Sequence, residues 1–147
     1  MNRIAAILFV TLALAGALSA ADKPLMHCFT FTPEASATEA DWDAFYKATA
    51  ALPSKVPSIS HVWYGKLARP QAIISTDAET YKKLLAAPGE KVTGPIERTP
   101  RQYGVCMEFP SADHLKWYAD SPAHKEWETV YFKVRVRGTT SFDLLQQ

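Results

Sequence analysis

Two residues stand out as able to move protons. Tyr118 and His124 lie in the stretch YADSPAHKEW, six positions apart, with Ser121-Pro122 between them. An imidazole titrates near neutrality, so it can take a proton from a carbon flanked by carbonyls and return it later. A phenol placed beside it can steady the developing enolate oxygen. Acid-base help of this kind is worth roughly 10²- to 10⁴-fold and needs neither metal nor nucleotide. The alternative is that both rings fill space between helices and sheet, with their polar tips hydrogen-bonded.

Spacing alone argues against the pair, and the proline argues for it. On an unbroken helix of about 3.6 residues per turn, positions six apart diverge by about 120°. Pro122 removes an amide donor and disfavours helical geometry at Ser121. The helix must therefore stop, and the restart can swing His124 back over the same hollow as Tyr118.

The elements that would position this pair are legible as a strand and helix order. His27, Phe29 and Phe31 alternate with Cys28, Thr30 and Thr32, the pattern of a first strand that Pro33 stops. Ser36-Ala37-Thr38-Glu39 has the form of a capping box, and Trp42, Phe45, Tyr46, Thr49 and Leu52 follow at helical steps until Pro53. Ile59 to Lys66 reads as a second strand and Tyr103 to Phe109 as a third. Ser111 can cap a helix carrying Leu115, Trp117, Tyr118 and Ala119; a second helical piece runs from about Ala123 to Phe132. Val134 to Arg137 and Thr139 to Leu144 form the last strand, whose alternating arginines mark a solvent-facing or edge surface.

Strand, helix, strand, strand, helix, strand is an α+β order, the ferredoxin-like βαββαβ pattern. Helices cover one face of a four-stranded antiparallel sheet and leave the other bare. A bare face with apolar groups calls for a second copy, so the expected state is a homodimer. Between the second and third strands, residues 67–101 form a less regular insertion with four prolines. Within it Thr76-Asp77-Ala78-Glu79 reads as another capping box for a short helix. Such an insertion is either a surface excursion or a lid or oligomer contact.

Composition narrows the function classes. The chain has 147 residues and a net charge of +1, which gives no sign of a nucleic-acid partner. Residues 1–21 read as a secretory signal peptide: Arg3, an apolar run too short to span a membrane comfortably, then small residues. The remaining domain, 22–147, is expected in a secreted or periplasmic location, with no membrane attachment after cleavage. Its two cysteines, Cys28 and Cys106, lack metal-type spacing, and whether they bond is open at this level. No metal and no cofactor is expected.

The HCFTF and HVWYGK strands, the CMEFPSADHLKWYADSPAH block and the closing SFDLL resemble the stress-response A/B barrel family over most of 27–144. That resemblance implies a dimeric α+β barrel. Few members have known chemistry, and the block is most similar to plant polyketide-cyclase members, which close an aromatic ring by aldol condensation. It places His124 on their catalytic histidine, Tyr118 on its supporting tyrosine and His27 on a histidine bordering the pocket. Two positions depart: Thr49 stands where those enzymes have a pocket tyrosine, and Tyr103 near a histidine.

Three functions follow as expectations. One is an exported domain that holds a small apolar or aromatic molecule between sheet and helices, lined by Phe29, Phe31, Phe45, Thr49, Tyr103, Trp117 and Trp127. The second is a cofactor-free cyclase-, lyase- or isomerase-like enzyme with His124 as base. The third is a solid barrel that builds oligomers.

Overall fold

The computed structural model describes residues 23–147, so the signal-like segment 1–21 lies outside the described residues. The first strand, β1, spans Leu25–Pro33 and places Phe29 and Phe31 on the helix side, as the alternation requires. Helix α1 spans Glu39–Ala50 and is followed by a single turn, α2, at Leu52–Lys55. The cap sits two residues later than Ser36: the Thr38 hydroxyl accepts from the Asp41 amide, and Asp41 accepts from the Thr38 amide. The Thr38 hydroxyl, which also donates to Asp41 Oδ2 at 2.6 Å, and then the Thr38 amide hold the Asp41 carboxyl below the ordinary carboxylate range. Pro53 does not end the helical run but opens α2, where a missing amide costs nothing.

Strands β2 (His61–Thr76) and β3 (Ile96–Phe109) are long, and they revise the reading of the insertion. Residues 67–76 continue β2, 96–101 begin β3, and helix α3 (Ala78–Ala86) caps the hairpin tip. Its N-cap is Asp77 rather than Thr76, with the Asp77 carboxylate accepting from the Thr80 amide. The insertion is thus a two-stranded arm that prolongs the sheet. A register shift between Lys66 and Gln71 absorbs the extra residues at its base, where Arg69 and Pro70 lie.

Helix α4 (Ala112–Asp120) and helix α5 (Pro122–Val134) lead into β4 (Arg135–Leu145). All pairings described are antiparallel, in the order β2-β3-β1-β4. Strands β1 and β3 are central and cross-linked: Cys28 pairs with Cys106 in register, Cα atoms 4.1 Å apart, and the two form a disulfide. Strands β2 and β4 are the edges. A register shift between Phe31 and Pro33 and a left-handed Gly138 (φ 99°) bend the β1–β4 pair.

The helix side of the sheet carries the core. Phe31 is enclosed by Phe45, Tyr103, Tyr131 and Trp42, with ring centroids 5.2 to 6.4 Å away. Phe29 meets Trp127 and Tyr131 at 5.9 and 5.4 Å. The opposite face of the sheet has no helix, and it exposes Trp63, Phe142 and Leu144 beside the disulfide.

Candidate active site at the break between two helices

The helix break that the sequence foretells lies at Ser121. Its backbone is extended (φ −77°, ψ 154°), ending α4, and its hydroxyl accepts from the His124 amide to cap α5. Pro122 takes the first turn of the new helix, where it loses no bond. The turn brings Tyr118 and His124 together edge to face, ring centroids 5.0 Å apart. By contrast, Ser111 heads α4 without capping it, because its hydroxyl is engaged with His114 Nδ1 at 2.8 Å.

The polar atoms of the pair are in opposite situations. Tyr118 is 3% exposed, and its hydroxyl has no hydrogen-bond partner among the described residues. An unmade bond on a buried hydroxyl costs about 1–3 kcal/mol. Burial, with the Glu128 carboxylate adding, pushes the phenol far above its ordinary value, so it stays a neutral donor. His124 Nδ1 lies 3.0 Å from the Ala119 carbonyl oxygen. A carbonyl only accepts, so Nδ1 carries the proton and Nε2 of the neutral ring is left basic. Glu128, one turn on, stands 4.0 Å from Nε2, too far for a hydrogen bond.

His27 is fixed in the same sense by a partner that sequence reading missed. Its Nδ1 lies 2.6 Å from Asp143 Oδ1, on the β4 residue directly opposite it in the ladder. A carboxylate accepts, so Nδ1 donates, and in the neutral ring Nε2 is again the free nitrogen. Only the β1–β4 register, 116 residues apart in the chain, reveals this dyad. His27 does not touch His124. Contacts run from His27 to Phe29, then to Trp127 and to His124, at 5.8, 5.9 and 6.1 Å.

The expected pocket lining divides into three groups. Phe29 and Trp127 lie in this aromatic series, and Phe109 closes its other end against Tyr118 at 5.6 Å. Phe31, Phe45 and Thr49 are fully enclosed, Tyr103 packs against Trp42, and Thr49 is tied at both ends. Its hydroxyl donates to the Phe45 carbonyl at 2.7 Å and accepts from Trp127 Nε1 at 2.9 Å. These residues act through the core rather than as an open wall. Trp117 points elsewhere: 60% exposed, it borders a 610 Å³ surface cavity with Pro57, Ser58, Pro110, Asp113 and His114. Among the described residues no cluster of His, Cys, Asp and Glu could hold a metal ion.

By sequence, no family model and no curated protein matches the chain. By structure it is similar to a dimeric protein of unknown function with a ferredoxin-like fold from Bacteroides fragilis. The TM-score is 0.54 at 17% identity, over 84% of this chain and 96% of that one. A DABB family protein with a ferredoxin-like fold from Mesorhizobium loti gives 0.54 at 13% identity, over 85% and 98%. Hydroxynitrile lyase from Passiflora edulis gives 0.56 at 9% identity, over 86% and 95%. At these identities the likeness establishes the ferredoxin-like fold.

Proposed function

We propose that the protein binds a small apolar or aromatic molecule bearing a carbonyl or hydroxyl oxygen, and that Tyr118 and His124 receive that oxygen. One observation carries this reading: a buried phenol with no partner, in contact with an imidazole whose free nitrogen is basic. A ligand oxygen accepting from Tyr118 would remove the penalty of that unmade bond. Trp127, Phe29 and Phe109 supply the aromatic surroundings for its body.

The working unit is a homodimer in this reading. Trp63, Phe142 and Leu144 form an apolar strip on the helix-free face, and a two-fold copy is the simplest cover for it. The Bacteroides fragilis protein of like fold is itself described as dimeric. Export by the 1–21 segment agrees with a chain whose two cysteines are bonded to each other, as suits an oxidising compartment.

The catalytic reading rests on a further observation: on both histidines Nδ1 faces an acceptor, which leaves Nε2 unprotonated wherever the ring is neutral. His124 Nε2 can take a proton from an activated carbon while the Tyr118 hydroxyl holds the enolate oxygen, and the His27–Asp143 dyad offers a second base. The like-folded hydroxynitrile lyase is an enzyme by name, which makes proton-transfer assays a reasonable start.

The test is to purify the wild type, His124→Ala and Tyr118→Phe from the native host and identify bound small molecules by mass spectrometry. A compound held by the wild type and lost from both variants is expected. Equal retention in all three would refute the site. A poly-β-keto thioester panel then separates binding from catalysis. Product formation falling at least about 10²-fold in His124→Ala supports the enzyme, whereas equal product from all three removes it.

A further inference from the structure

Trp117 turns away from the candidate site onto surroundings of its own. It follows Asp113 by one turn of α4, so the two share a helix face, and both border the 610 Å³ surface cavity. His114 joins them from the same helix. Pro57 and Ser58, just after α2, and Pro110, just after β3, complete the lining. The volume falls within the range of small-molecule sites.

The chemistry of this wall is narrow. Asp113 is the carboxylate in it, and among the described residues no cation pairs with that side chain. The α4 N-terminus, equivalent to roughly half a positive charge, offsets only part of it. Trp117 is 60% exposed, and among the described residues no cation lies over its ring. Other acceptors are scarce. The Ser58 hydroxyl oxygen is enclosed, and His114 Nδ1 is engaged with Ser111 Oγ at 2.8 Å, which leaves that ring its Nε2. Neither lysine nor arginine is among the lining residues.

These groups exclude most kinds of occupant. An anion would meet the Asp113 carboxylate with no lysine or arginine to receive it. A wholly apolar body would take that carboxylate out of water unpaired. A bare divalent ion needs several oxygen ligands and would find one carboxylate. A primary ammonium brings three N–H donors, more than this wall can accept. A methylated ammonium brings none and keeps its charge, so both the carboxylate and the indole face attract it.

We propose that this cavity is a second binding site, separate from the Tyr118–His124 pair, for a small quaternary ammonium solute. Its charge lies between Asp113 and the indole of Trp117, and its methyl groups rest on Pro57 and Pro110. A lipid headgroup bearing the same ammonium also carries a phosphate, which no lysine or arginine of this wall would meet.

Titration with tetramethylammonium chloride, followed by proton–nitrogen NMR against sodium chloride of equal ionic strength, tests this. The probe carries no oxygen, so it cannot satisfy the Tyr118 hydroxyl. The Trp117 indole N–H and the His114 amide should shift saturably with the ammonium and stay nearly fixed with sodium. Asp113→Asn, read on the indole signal, should weaken the affinity at least about fivefold. Trp117→Leu, read on the His114 amide, should weaken it by a like factor. Methylammonium should bind less tightly than the probe. Tyr118→Phe should leave the titration unchanged, which separates a failure here from a failure of the proposed function. Both substituted positions are exposed, and the same spectra report whether each variant folds; should one fail to fold, the other decides. A wild-type response no greater than that to sodium chloride, undiminished affinity in either folded variant, or equally tight methylammonium overturns the proposal. So does pelleting with phosphatidylcholine vesicles without any response to the soluble ion, which would assign the cavity to a lipid surface.

Discussion

Removing the Tyr118 hydroxyl should make the unliganded protein more stable. A buried tyrosine usually loses stability on conversion to phenylalanine because it gives up a hydrogen bond, but this oxygen makes none among the described residues. Tyr118→Phe keeps the ring against Phe109 and His124 and relieves an unmet polar group, for a gain of about 1 kcal/mol. For a domain of roughly 125 residues that corresponds to a rise of about 4 °C in melting temperature. Alkaline titration gives an independent readout. The folded phenol is raised by burial while the unfolded one ionises at its ordinary value near 10. Above pH 10 the folded state therefore binds more protons than the unfolded state, and stability, intact below pH 10, falls as the pH climbs towards the folded value. Tyr131, raised mainly by burial, contributes in the same direction and remains in the variant. Tyr118→Phe should thus fall less steeply above pH 10 than the wild type. Scanning calorimetry from pH 7 to 11 measures both effects. A lower melting temperature for Tyr118→Phe at pH 7, with an unchanged alkaline limb, would mean that the hydroxyl is satisfied in the folded protein and would remove the main support for the site.

Three other outcomes follow from the same structure. The Cys28–Cys106 bond closes a loop of 78 residues, so the Cys28→Ser, Cys106→Ser double variant should lose about 4.5 kcal/mol in urea unfolding. Thr49→Val keeps the shape of the core but strands the Trp127 indole N–H, for a loss of about 1–3 kcal/mol and an altered tryptophan emission maximum. Trp63→Glu puts a charge on the helix-free face; light scattering at micromolar concentration should report a monomer with a near-normal melting temperature, and an unchanged dimer mass would exclude that face as the interface.

The order of elements and the helix break were both readable because each depends on local signals. Period-two alternation marks β1, and a serine followed by proline marks the junction of α4 and α5. Cap positions slipped by one or two residues where candidates crowd together: Ser36 and Thr38 each have an acidic residue three places on, but the Ser36 hydroxyl is engaged with Glu34 and Thr38 caps. The arm hid as irregular chain because Pro70, Pro95 and Pro100 mask the alternation of strands that continue past a bulge. Distant register was out of reach altogether. It decides that Cys28 meets Cys106, that His27 meets Asp143, and that Arg101 settles among Thr32 and Thr140. Trp117 and Tyr118 are neighbours in sequence, yet only the helix phase shows that one faces solvent and the other the interior.

The two outer strands also limit how copies can accumulate. Along β2 the distorted stretch holding Arg69 and Pro70, and along β4 the left-handed Gly138 beside Arg137, spoil the straight row of amides and carbonyls that a neighbouring chain would need for sideways addition. Growth by strand docking at the margins is thereby discouraged, while the broad flat side stays sticky. If two copies pair through that side as proposed, the contact saturates after one encounter, so crowding should yield closed pairs instead of runaway filaments.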